Sequence, residues 1–163
     1  MKKLFFATVV LFAAFKGNAQ TSSVRFSGGF NIGIPAHNLG GNSLGLGIDV
    51  MALYPLSEQV SVTGDFGYTA LLAKKAKYPD ATTTNLLPLR FGIRYYPSKS
   101  FFVASKIGAG FISNSGNSIT TTAYSFGLGY AITSKVELGG SYDGYSKNGS
   151  IGLVNFRIAY FFN

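Results

Sequence analysis

Residues 87–110 read LPLRFGIRYYPSKSFFVASKIGAG. Counting by twos from Leu87 gives Leu89, Phe91, Ile93 and Tyr95, while the positions between them carry Arg90, Gly92 and Arg94. After the short stretch PSKS, residues 97–100, the alternation resumes with Phe101, Val103 and Ile107 on one parity and Lys106, Gly108 and Gly110 on the other. Successive strand side chains point to opposite faces, so the stretch is two strands and a tight turn. One face is aliphatic and aromatic. The other mixes glycine with long cations.

The same period of two recurs at about 22–34, 43–54, 60–72, 85–96, 101–112, 120–132, 136–143 and 151–162, and nothing past residue 20 has a helical period. The connections 35–42, 73–84, 113–119 and 144–150 read as long and polar, whereas 55–59, 97–100 and 133–135 are short. An eight-stranded up-and-down meander with its long loops at one end and its tight turns at the other fits that rhythm. The charged residues within strands are Arg25, Asp49, Asp65, Arg90, Arg94, Lys106, Glu137, Asp143 and Arg157, and all lie on the parity opposite the apolar one. A soluble barrel would turn its large apolar side chains inward. An eight-stranded interior is only just wide enough for side chains, so a lumen lined by glycine and arginine implies the reverse arrangement, with the apolar face toward lipid.

Tyrosine placement agrees. Tyr54, Tyr95, Tyr130 and Tyr160 fall on the apolar parity near short-turn ends, and Tyr68, Tyr124 and Tyr142 nearer the long loops. Amphipathic rings at both margins of an apolar band form the aromatic girdles of a transmembrane barrel. Strands of about 11 residues at roughly 3.3 Å per residue, tilted near 40°, span about 25 Å, the height of such a band.

Composition narrows the class. The chain has 163 residues, 47% hydrophobic and only 12% charged, against about a quarter charged in soluble domains. Met1-Lys2-Lys3, the apolar run Leu4–Phe15 and the small residues Gly17 and Ala19 predict a cleavable Sec-type signal peptide over 1–19, with the barrel domain over 20–163. The absence of cysteine excludes a lipoprotein and a disulfide-stapled secreted domain. Without Lys2, Lys3 and Lys16 the formal charge falls from +8 to +5, and the remaining cations are dispersed, which excludes nucleic acid as a partner.

The last segment, VNFRIAYFFN at 154–163, places Phe156, Ile158, Tyr160 and Phe162 on the apolar parity and Arg157 on the other. An open strand edge cannot sit in lipid, so this strand must also pair with the first. Its end, RIAYFFN, resembles the terminal aromatic signature read by the assembly machinery of bacterial outer-membrane barrels, with Asn163 added beyond the aromatic. The whole mature chain resembles the small outer-membrane β-barrel families, the OmpA membrane domain, OmpX and OmpW among them, and 87–110 is the most characteristic stretch. That resemblance implies a Gram-negative outer-membrane location, a monomer, and contact with outer-membrane lipids including lipopolysaccharide. It identifies no surface partner. Pro88 inside the fourth strand predicts a bulge or a strand end, since it lacks a ladder donor.

For function, the lumenal parity predicts a salt-bridge network of Asp49 and Asp65 with Arg90, Glu137 with Arg157, and Arg25 completing the ring. With Asp143 set at the loop margin, five cations face three anions, which predicts lumenal water or a bound anion. Such a network gives a largely plugged barrel with a structural or surface-interaction role. The alternative is a narrow pore or carrier for small solutes, disfavoured because open aqueous channels take about sixteen strands. A lipid-modifying enzyme would need a hydroxyl nucleophile, a histidine base and a carboxylate in reach, and His37 is the sole histidine, in a loop without a His-x-Ser arrangement. One histidine and no cysteine provide no metal site, and no glycine run opens a helix, so no cofactor is expected. Lys74, Lys75 and Lys77 form a solvated loop group within reach of lipopolysaccharide phosphates. A lipocalin-like soluble barrel is the architectural runner-up, contradicted by the charge parity.

Overall fold

The computed structural model describes residues 23–37, 42–74, 76, 79, 82–147 and 150–163. Eight antiparallel strands, β1 (Arg25–His37), β2 (Asn42–Pro55), β3 (Val60–Ala73), β4 (Thr84–Tyr95), β5 (Phe101–Asn114), β6 (Asn117–Ala131), β7 (Val136–Ser146) and β8 (Ser150–Phe161), close into one barrel. Each pairs with its sequence neighbours, and β8 returns to β1 through pairs such as Gly28↔Tyr160 and Asn31↔Arg157. Among the described residues no strand lacks a neighbour on either side. The predicted leader, residues 1–19, and Lys75 and Lys77 lie outside the described residues.

The stagger of the barrel follows from the pairing. Starting at Arg25 and stepping from partner to partner leads through Leu53, Thr63, Gly92, Lys106, Ser125, Asp143 and Leu153 back to β1 at Pro35. The circuit closes ten residues from its start, 25 to 35. That displacement tilts the strands and brings a residue low on one strand level with one high on another.

Side-chain direction obeys the parity read from the sequence. Phe30, Ile48, Phe66, Phe91, Ile107, Phe126, Leu138 and Ile158 all stand exposed on the outer wall. Tyr68, Tyr95, Tyr124, Tyr130, Tyr142 and Tyr160 are exposed there too, and Tyr54 is half-buried. Among the described residues no helix is long and apolar enough to cross a membrane; this wall consists of strands.

Three expectations are corrected. Residues 113–119 are not a long loop: β5 and β6 continue to Asn114 and Asn117, which pair, leaving a two-residue turn. Ser115 and Gly116 both have positive φ, 47° and 84°, the backbone that matches hairpin twist, and the polar run around them is strand projecting beyond the apolar band. β7 likewise extends to Ser146. Pro88 produces neither a bulge nor a strand end. β4 pairs with β5 straight through Pro88↔Gly110, while its pairing with β3 lapses after Phe66↔Leu89 and resumes in the same register at Thr69↔Leu86.

Asn163 contributes to closure. Its side-chain amide donates to the Val24 carbonyl at 2.8 Å, and its Oδ1 accepts the Phe26 N–H at 2.9 Å, adding a rung to the β1–β8 seam.

Candidate functional site

The lumen is built in three layers. The middle one is a charged belt. Arg90 on β4 donates to Asp65 on the neighbouring β3 at 2.7 Å and reaches Asp143 on β7 at 2.9 Å. Lys106 on β5 lies 3.2 Å from the other oxygen of Asp65. Asp143 also accepts from Ser125 at 2.6 Å and Ser141 at 2.9 Å. Arg94 crosses from β4 to Glu137 on β7 at 2.8 Å, its guanidinium stacked 3.8 Å above the Phe102 ring. Asp49 on β2 is held by Arg157 on β8, across β1, at 2.9 Å, and by Asn31 at 2.6 Å.

This geometry reallocates the expected partners. Asp49 pairs with Arg157 rather than with Arg90, and Glu137 with Arg94 rather than with Arg157. The ten-residue stagger is the cause, since it sets the β4 arginines level with β7 across the lumen. Arg25 does not close the ring. It sits at the short-turn mouth, donating to the Ser134 carbonyl at 2.6 Å and stacking 4.1 Å from the Phe161 ring. Asp143, set aside at the loop margin, belongs to the belt. Four cations, Arg90, Arg94, Lys106 and Arg157, therefore meet four carboxylates, Asp49, Asp65, Glu137 and Asp143, and the expected excess of cations disappears.

Above and below the belt are apolar layers that sequence reasoning missed. At the long-connection end Leu71, Leu86, Ile112, Ala123, Tyr145 and Leu153 pack together, one from each of β3 to β8. At the short-turn end Met51, Leu53 and Phe161 form a smaller cluster. Phe161 is fully buried there. These residues share the parity of the charges and differ only in height; their grouping at strand ends was the available signal. The space left in the belt is about 80 Å³, room for a few waters. Arg94 and Asn155 are among the residues that line it, and Arg94 Nε and Asn155 Oδ1 have no hydrogen-bonding partner among the described residues.

An apolar outer wall with aromatic margins, closed on itself around a charge-paired interior, defines an integral outer-membrane β-barrel. The profile of the family described as outer membrane protein beta-barrel domain matches residues 4–160, and the chain belongs to that family. Its location is the outer membrane. Among solved structures, Ail, the attachment invasion locus protein of Yersinia pestis, is 17% identical with a TM-score of 0.61, over 88% of this chain and 100% of that one. The N-terminal β-barrel domain of Pseudomonas aeruginosa OprF is 15% identical at a TM-score of 0.63, over 85% and 97%. Neisserial surface protein A is 14% identical at 0.59, over 86% and 99%. Identities this low speak for the fold alone. No curated protein matches the chain.

Proposed function

We propose that this barrel is closed to ions and solutes, acts as a monomeric structural or surface-interaction protein of the outer membrane, and performs no catalysis. The observation that carries this reading is the stacked lumen: a charge-balanced belt tied across the interior, with an apolar layer at each end. Buried ion pairs in such a belt hold walls together more readily than they pass ions, because each partner left alone would be costly. Interaction then falls to the long-connection end, where Lys74 and Lys147 are exposed, suited to lipopolysaccharide phosphates. The belt residues act as internal struts. Phe156, Ile158, Tyr160 and Phe162 serve as the terminal strand presented to the assembly machinery, and processing after Ala19 leaves Gln20 as the mature N-terminus, which N-terminal sequencing would check.

Planar-bilayer recording tests closure. The unmodified protein should show no conductance, or only small and rare openings without preference for anions, since four carboxylates offset four cations. Steady, large currents would establish the narrow-pore reading in its place.

A further inference from the structure

The outer wall is not uniformly tall. One line of register partners runs Phe162, Phe26, Ala52, Gly64, Phe91, and its third and fourth members are small. They floor an apolar notch of about 330 Å³, flanked by Phe26 and Phe162 on one side and Phe91 on the other, and closed toward the long connections by Phe66. A Cβ at Gly64 would meet the Phe91 ring at 3.4 Å, so that ring leans over the floor. Tyr54 and Val62, next toward the short-turn rim, stand outside the lining, and the notch opens that way.

This wall is already the lipid interface, so an unfilled notch would forfeit dispersion contacts on every lining atom. Its volume exceeds the roughly 150 Å³ that admits a benzene in an apolar protein cavity. A second barrel is a poor occupant. Two cylinders touch along a line, far short of the ~800 Å² per partner of a stable interface. Small residues favour association when they let backbones approach, and here the surrounding phenylalanines stand above the floor, with Phe91 68% and Phe162 63% exposed. A flexible hydrocarbon chain can bend between those rings.

We propose that the notch over Ala52 and Gly64 is a binding site for one acyl chain of a phospholipid in the short-turn leaflet. The chain enters over Val62, lies on Ala52 and Gly64, and is held between Phe26 and Phe91.

Phosphatidylcholine liposomes containing a phosphatidylcholine with a diazirine on its acyl chain provide the test, with adducts located by mass spectrometry after irradiation. Adducts on the unmodified protein should concentrate at Val50–Ala52 and Gly64–Phe66, several-fold above the flat wall at Ile107, Phe126 and Leu128. Ala52→Leu should bring the notch down to wall level. Gly140→Leu, on the outer face of β7 where an added Cβ meets nothing nearer than 3.9 Å, should leave the pattern unchanged. Even labelling around the unmodified wall would overturn the proposal, and so would barrel-to-barrel crosslinks through the notch. The unmodified pattern decides the matter even if Ala52→Leu does not fold.

Discussion

Ala123 and Ser125 are two residues apart on β6 and face the same lumen, yet they occupy different media. Ala123 is fully buried against Leu71, Leu86, Ile112, Tyr145 and Leu153. Ser125 donates a 2.6 Å hydrogen bond to Asp143, one step from Arg90. Two residues of strand separate a layer that excludes water by being apolar from one held together by charge. The difference gives the proposed closure two separate means. The belt ties opposite walls together, and on the closed reading the end layers deny ions a wet path to the belt, since a hydrophobic constriction gates by dewetting.

The belt should show the larger stability effect. Arg90→Met leaves Asp65 and Asp143 without the guanidinium that both use, and breaking a buried pair from one side costs about 3–5 kcal/mol. Urea unfolding of the barrel refolded into lipid vesicles measures it. Replacing Asp143 alone with asparagine in the same protein should recover much of the loss, because Asp65 keeps Lys106 and the one uncompensated carboxylate is then gone. A loss below about 1 kcal/mol for Arg90→Met would mean that the belt is hydrated and slack.

The apolar layer should follow. Leu86 and Leu153 are each 1% exposed, and truncation to alanine should cost about 2–3 kcal/mol, the lower part of the core range, because the layer lies near the strand ends. Conductance separates the layers more sharply than stability. Arg90→Ser with Arg94→Ser loosens the belt and leaves both end layers in place, so bilayer current should remain absent. Adding Leu71→Ser and Leu153→Ser should produce small openings. If the belt variant conducts by itself, the apolar layers do not seal.

What was legible in the sequence was whatever repeats every second residue. Arg90, Arg94 and Lys106 against Phe91, Ile93 and Ile107 sufficed for inside and outside, and hence for the barrel and its lipid-facing wall. Height along the barrel was much less legible. The pairing of Arg94 with Glu137 depends on a ten-residue stagger accumulated over eight ladders, and no single strand encodes it. Arg25 reads as one more lumenal cation until its place at the very start of β1 puts it at the mouth. Leu71, Leu86, Tyr145 and Leu153 were hidden because parity treats every inward position alike. The segment 113–119 reads as a loop because serine and asparagine mark loops in most proteins, whereas here they mark strand that has left the hydrocarbon.

The smallest effect is the most discriminating, because it exchanges identical chemistry between the two layers. Ser125→Ala removes one of the two hydroxyls on Asp143 Oδ1 and leaves Ser141 at 2.9 Å. A hydrogen bond to a charged group is worth about 1.5–3 kcal/mol, and with Ser141 still donating the loss should lie near the lower figure. Ala123→Ser adds a hydroxyl where five of the neighbouring side chains are Leu71, Leu86, Ile112, Tyr145 and Leu153. A buried hydroxyl without a partner costs about 1–3 kcal/mol. Each single change should therefore destabilise by roughly the same small amount, about 1–2 kcal/mol, for opposite reasons: one removes a partner from a charge, the other buries a donor among hydrocarbons. The double exchange should cost close to the sum, because the hydroxyl introduced by Ala123→Ser lies in the apolar layer and cannot replace the Ser125 contact to Asp143. Unfolding of the three variants in the same vesicles supplies all the values. If Ala123→Ser proves neutral while Ser125→Ala does not, water already reaches the upper layer, and the barrel is closed by its charges alone.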